Sequence, residues 1–226
     1  MYVTLSAEPM SFHTPSVIQP PCTQSKPLVQ RQFKSGAYLY HEGDDATNLY
    51  EVVSGVLRLT RVLENGKRQV IAFGLPGDIV GFPNGTRHHT DCDVLSSAEI
   101  VIYKRRVFEA GESDPETHQR LLRAALREIS AMQDHVMMLA RKSAMEKIAS
   151  FLLVLSQRTG APIGNYATFS LPMSRADIAD FLGLTIETVS RTFTILRKSK
   201  TIALGTPQTV LVLDLDALID ASQADT

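Results

Sequence analysis

The residues of this sequence best suited to chemistry are Glu187 and Arg191. Four positions apart on a helix, they stand one above the other. A carboxylate in that place accepts from the exocyclic amine of cytosine, and a guanidinium spans O6 and N7 of guanine, so the pair suits reading base edges in a major groove. The same spacing also makes an ordinary surface salt bridge, and the frame around the pair separates the two readings. Val189, Phe193 and Leu196, with Ile195 alongside, form an apolar stripe, while Ile186, Glu187, Ser190, Arg191 and Thr194 fall largely on the free face. No nucleophile with its base, no paired catalytic carboxylates and no phosphate-cradling glycine loop can be assembled, which argues against an enzyme.

Two short helices must hold this face. Ser174, with Asp177 three residues on, is an N-terminal cap pair, and Ile178, Ala179 and Leu182 follow at helical spacing. Gly183 stands where a left-handed residue is needed, Leu184 offers an apolar plug, and Thr185 caps a second helix over about Ile186 to Ser199. Helices joined by so tight a turn cross steeply, giving a helix-turn-helix whose second helix enters the groove by its N-terminal end. The Ser174 hydroxyl suits either simple capping or a DNA phosphate. Arg175, Thr185, Thr188, Lys198 and Lys200 are the other expected phosphate contacts, which set affinity and register. Thr201 to Leu204 and Thr209 to Leu213, either side of Gly205-Thr206-Pro207-Gln208, read as a β-hairpin wing, and Asp214 or Asp216 caps a last short helix. The formal charge of −1 over 226 residues conceals a net of +2 between Ser174 and Lys200, five basic side chains against three acidic.

The stretch LPMSRADIADFLGLTIETVSRTFTILRKS resembles the DNA-binding helices of the CRP/FNR regulator superfamily, and Leu184 to Arg191 is most similar to its FNR and FixK branches. The resemblance implies that Glu187 and Arg191 read a TTG-type half-site and that Ser190 adds a base or phosphate contact. It places Ile186 where FNR-like members carry an apolar residue and CRP an arginine, and so implies an operator of the TTG-N8-CAA kind. It extends from about Phe33 to the C-terminus.

From Phe33 to Val107, β-rich runs alternate with turn signals: Ala37 to Tyr40, Leu49 to Ser54, Val56 to Leu63, Gln69 to Phe73 and Glu99 to Tyr103, broken at Glu42-Gly43-Asp44, Ser54-Gly55, Asn65-Gly66 and Leu75 to Asp78. This spacing suggests a closed or two-sheet β unit, and Asn65-Gly66 places Val62 opposite Gln69 in a hairpin. The family resemblance makes the unit a double-stranded β-helix (jelly roll) sensory domain. It also makes the hairpin Glu64, Asn65, Gly66, Lys67 and Arg68 a candidate contact for RNA polymerase, although a plain solvated turn fits as well. Cyclic-nucleotide members hold the phosphate with a glycine-glutamate pair and a later arginine; here Gly81 precedes Phe82 and Pro83, and Leu95-Ser96-Ser97-Ala98 lacks the arginine, so no cAMP site is expected.

Leu122, Ala125, Ile129, Met132, Val136 and Leu139 step by alternate threes and fours between Asp114 and Ala140, the rhythm of a coiled-coil seam. Such a seam packs on a second copy or, alternatively, on its own barrel. The polar flanks at Arg123, Arg127, Glu128 and Asp134 favour a homodimer, the use the family makes of this helix. Two related recognition helices about 34 Å apart then demand a near-palindromic site. A further helix over Ala144 to Gln157 ends at Arg158 to Pro162, and Arg141-Lys142-Ser143 marks the hinge between halves.

The stretch from Met1 to about Gln30 carries five prolines and no long apolar run, so it reads as a tail, neither a secretion signal nor a membrane span, and a cytoplasmic location is expected. Cys22 and Cys92 are too few for a disulfide framework or an iron–sulfur site, unlike FNR itself. His88, His89 and Cys92 form one possible zinc or haem set, but Asn84-Gly85-Thr86 and Asp91 to Asp93 describe an exposed loop, and no metal or cofactor is expected. The reading is an α+β chain: tail 1–31, β-barrel 32–113, dimerisation helix 114–143 and winged helix-turn-helix 144–226. It describes a dimeric DNA-binding regulator of FNR/FixK type, an activator for low-oxygen metabolism in a bacterium. The alternative is a sensor gated by a small molecule, metal or haem in the barrel, with effector-dependent DNA binding.

Overall fold

In the computed structural model, residues 29–82, 85–106, 115–164, 166–206 and 208–223 are described. The tail to residue 28 with Cys22, together with Asn84, Asp114 and Pro207, lies outside them. The barrel comprises β1 (Gln30–Phe33), β2 (Tyr38–Tyr40), β3 (Asn48–Val62), β4 (Arg68–Gly74), β5 (Ile79–Val80) and β6 (Asp91–Lys104). All pair antiparallel in the order β1-β6-β3-β4, with β2 on β6 and β5 on β3. β1 starts inside the stretch expected as tail, pairing Gln30 with Val101 and Phe33 with Ala98.

One expected break and one expected loop are instead parts of long strands. Gly55, at φ +85°, is a bulge within β3: a Cβ there would lie 2.5 Å from the Ser97 carbonyl oxygen, so only glycine lets β3 and β6 close. Asp91 to Asp93 open β6 and do not form an exposed loop. The β3–β4 hairpin forms, but Val62 faces Arg68, and Gln69 faces Arg61, one residue off the expected pairing. Tyr40, Tyr50, Val52, Leu57, Val94 and Ile100 fill the barrel interior.

Helix α1 (Pro115–Arg141) leads through Lys142 and Ser143 into α2 (Ala144–Thr159). The break is a capping box: Ser143 accepts from the Glu146 amide, and the Glu146 carboxylate accepts from the Ser143 amide at 2.6 Å. Next come β7 (Ala161–Ile163), β8 (Tyr166–Ser170), α3 (Arg175–Leu182), α4 (Ile186–Lys198), β9 (Ile202–Thr206), β10 (Thr209–Val212) and α5 (Leu215–Ser222, capped by Asp214). The wing hairpin β9–β10 belongs to a four-stranded antiparallel sheet ordered β7-β8-β10-β9.

The two halves share one hydrophobic core. Val56, Val70, Phe73 and Leu75 of the barrel pack in the same cluster as Phe151 and Leu152 of α2, Phe181 of α3 and Phe193 of α4. The hinge residue Lys142 donates to Ser150 Oγ at 2.7 Å and to the Ser222 carbonyl, placing a cation at the C-terminal end of α5.

Candidate nucleic-acid interface

The local frame of the reading helix follows the sequence closely. In α3 the Ser174 hydroxyl accepts from the Asp177 amide at 3.0 Å, and the Asp177 carboxylate accepts from the Ser174 amide. Gly183 closes α3 at φ +63°, and the Leu184 amide reaches back to the Ala179 carbonyl at 2.9 Å. Thr185 caps α4 through the Thr188 amide, and the Thr185 and Thr188 hydroxyls lie 3.0 Å apart. The far end of α4 stops in a Schellman motif, with Lys200 N–H to Arg197 and Thr201 N–H to Leu196. Lys200 there holds φ +59° without being glycine.

Val189, Thr192, Phe193 and Leu196 are buried, and Ile186, Glu187, Ser190, Arg191 and Thr194 are exposed on the other side of α4. The face expected to read bases is therefore the free one. Ile195 differs from expectation: it is 47% exposed and extends this face instead of packing beneath it. Glu187 and Arg191 do not brace each other among the described residues. The Glu187 carboxyl is held below the usual range by its own backbone amide and by the Thr185 hydroxyl, which draws it toward the positive end of α4.

The expected phosphate contacts divide. Thr185, Lys198 and Lys200 are exposed and Thr188 is half-buried. The Ser174 hydroxyl, by contrast, donates to Asp177 at 2.6 Å, so capping occupies it. Arg175 lies with its guanidinium carbon 3.5 Å from the Phe193 ring centroid, and desolvation lowers its pKa; it bolts α3 to α4 rather than projecting outward.

Sequence reasoning missed the surroundings of Asp177. This carboxylate is 2% exposed and receives Arg58 at 2.6 Å and Arg68 at 2.7 Å. Arg58 also grips Asp93 through two nitrogens, at 2.9 and 3.0 Å, and Arg68 approaches Asp180 at 3.6 Å. Hydrogen bonds and Arg58 hold the Asp177 carboxyl low against the opposing push of its burial. Of the three acids between Ser174 and Lys200, Asp177 is thus buried and paired and Asp180 is partly neutralised by Arg68, which leaves the outward surface more basic than the count suggests. Arg68, expected on the polymerase-facing hairpin, is committed to this site, whereas Glu64, Asn65, Gly66 and Lys67 are exposed around a turn with Gly66 at φ +76°.

The seam residues Leu122, Ile129, Met132, Val136 and Leu139 of α1 are 36 to 59% exposed, with Ala125 half-buried. Leu121, Ala124, His135 and Met138 pack on the protein's own body. The stripe that packs on the barrel side is therefore not the seam. Of the possible ligand set, His88 is stacked on Tyr40 at 3.6 Å and Cys92 is fully buried, while His89 is exposed. Burial pushes the Cys92 thiol up and the His88 imidazole down, and no cluster of metal-ligating side chains exists among the described residues. Gly81 sits at φ +97° where a Cβ would lie 3.0 Å from the Tyr50 ring. No helix among the described residues is long and apolar enough to cross a membrane.

Comparison with known proteins agrees with this geometry. Residues 30–110 match the cyclic nucleotide-binding domain family, and residues 146–221 match the Crp-like helix-turn-helix domain family. The nitrogen fixation regulation protein FixK of Azorhizobium caulinodans is 45% identical over 180 residues, 78% of this chain and 73% of that protein. FixK of Rhizobium meliloti is 36% identical over 218 residues, 96% of this chain and 98% of that protein. The solved structure of FixK2 from Bradyrhizobium japonicum superposes with a TM-score of 0.77 at 32% identity, covering 88% of this chain and 98% of that one. The barrel, the exposed reading face of α4 and these likenesses together show that the chain belongs to the CRP/FNR family of transcription regulators, as a DNA-binding activator of FixK/FNR type.

Proposed function

We propose that the protein is a cytoplasmic homodimer that binds a TTG-N8-CAA-like palindrome and activates transcription without cAMP or an iron–sulfur cluster. The observation that carries this reading is the division of α4: a fully packed side against α3, and a free side bearing Ile186, Glu187, Ser190 and Arg191 at the end nearest the turn. In this reading Arg191 grips guanine, Glu187 accepts from cytosine, and Thr185, Thr188, Lys198 and Lys200 hold phosphates. The exposed apolar seam of α1 buries itself on a second copy, which doubles the reading face across a two-fold axis. Glu64 to Lys67 face outward on the barrel, suited to RNA polymerase.

Constitutive rather than ligand-gated binding is supported by the barrel interior, which is occupied by large side chains, including Tyr50 against Gly81. The test is an electrophoretic mobility shift with purified apo-protein on the palindrome and on a scrambled control, across a salt titration. Specific binding without any added effector, with affinity falling linearly against log salt, is the expected result. Binding that appears only after a cyclic nucleotide, a metal or haem is added would replace this reading with the gated sensor.

A further inference from the structure

The site around Asp177 joins parts of the chain that are far apart in sequence. Arg58 and Arg68 belong to barrel strands β3 and β4, and Asp177 belongs to the first helix of the helix-turn-helix. Next to it, Gln69 Nε2 donates to the Asp180 carbonyl. One turn on, the Phe181 ring meets Phe73 of the barrel edge-on at 5.0 Å and stacks on His135 of α1 at 4.3 Å. Helix α3 is thus held at its N-terminus, its middle and its C-terminal turn by the barrel and the long helix. A second ionic bracket lies on α2, where Arg158 takes Asp78 at 2.7 and 3.1 Å and the Pro76 carbonyl at 2.9 Å.

Helix α4 has little freedom relative to α3. The turn between them is two residues beyond Gly183, the apolar side of α4 is buried, and Arg175 of α3 covers Phe193 of α4. Whatever fixes α3 therefore fixes the recognition helix. Hydrophobic contacts at Phe181 tolerate sliding and rotation because dispersion is non-directional, but a buried carboxylate shared by two guanidiniums has one geometry. We propose that Asp177, held by Arg58 and Arg68, is a positioning residue that fixes the pose of the recognition helix on the barrel and so sets the half-site spacing the protein accepts. This rests on the dimeric, palindrome-binding reading above. The TTG and CAA centres of an N8 site are about one helical turn apart, and one added or removed base pair swings a half-site by about 35°. A rigid pose penalises that change, and a loose one follows it.

The test uses Asp177→Asn in the full-length protein. The amide keeps an oxygen to accept from the Ser174 amide and leaves Arg58 its two bonds to Asp93, but removes the charge that both arginines share. Binding is measured on N7, N8 and N9 palindromes and on N8 sites carrying single base changes. The wild type is expected to lose tenfold or more in affinity on N7 and N9, and the variant threefold or less, with the penalties for base changes equal in the two proteins. Should the variant not fold, Arg68→Gln, at a side chain 40% exposed, is read on the same sites and is expected to narrow the spacing penalty severalfold. An unchanged spacing penalty would overturn the proposal. Equal erosion of base discrimination and spacing preference would do so as well, since that is what general loosening produces. Wild-type protein indifferent to half-site arrangement would instead defeat the dimeric reading, and the proposal with it.

Discussion

His135 makes a sharp pH dependence. Its imidazole is 6% exposed, stacked on Phe181, and carried by α1 at the point where the helix meets the DNA-binding half. Burial, aided by Lys147 and opposed by the Phe181 backbone, lowers its pKa to about 4. Above pH 6.5 the ring is neutral in both the folded and the unfolded chain and contributes no slope. Between pH 6.5 and 4 the unfolded chain takes up a proton that the folded protein refuses, so stability falls by about 1.4 kcal/mol per pH unit; below 4 both forms are charged and the loss ends. At pH 5 the loss is up to about 2 kcal/mol relative to neutral pH. His135→Phe keeps a ring on Phe181 and does not titrate. Urea unfolding of both proteins at pH 7.5 and pH 5.0, at one protein concentration and ionic strength, isolates the effect. His88, also buried with a lowered pKa, is present in both proteins and cancels. The phenylalanine variant is expected to gain up to about 2 kcal/mol on the wild type as pH drops. A stability difference that is the same at both pH values would refute the assignment of His135 as neutral in the folded state.

Other perturbations separate the parts of the interface. Val136, 59% exposed in the C-terminal part of the α1 seam, is expected on Val136→Glu to leave the single chain within about 0.5 kcal/mol of its stability. In analytical ultracentrifugation the same variant should sediment as a monomer and lose palindrome binding. Arg175→Leu removes the cation over Phe193, which should cost about 0.5–2 kcal/mol of unfolding free energy. Because Arg175 is turned inward, that variant should keep the wild-type salt slope of binding. Lys198→Ala, at an exposed position, is expected to weaken binding to all DNA alike and reduce that slope by about one.

What could be read from the sequence, and what could not, follows from the range of the interactions. The caps at Ser174 and Thr185, the left-handed Gly183 and the two faces of α4 depend on residues within one or two turns, and the structure has each of them. The helix α1 and its exposed apolar stripe are legible for the same reason, since the 3-4 rhythm from Leu122 to Leu139 is a local periodicity. Ile195 was misjudged because its spacing lies between the two stripes, and only the packed partner decides which side it joins. The engagement of Arg175 with Phe193 and of Arg68 with Asp177 was out of reach, because these partners lie 18 and 109 residues away. Likewise, the loop-like composition of Asp91 to Asp93 concealed a strand start, because Asp93 is stabilised by Arg58, 35 residues earlier. Strand β8, YATFS, carried an aromatic and β-branched signal that an extended reading of the residues before Leu171 would have found.

The most direct measurement is a binding cycle on Arg191 and the guanine of the TTG half-site. Wild-type protein and Arg191→Ala are each titrated against the intact palindrome and against one in which that base pair is replaced symmetrically. The wild type is expected to lose about 1–3 kcal/mol per half-site on the base change, and Arg191→Ala to be nearly indifferent to that base pair while still discriminating at its neighbours. Full discrimination at that guanine without the arginine would contradict the claim that the exposed face of α4 reads the operator.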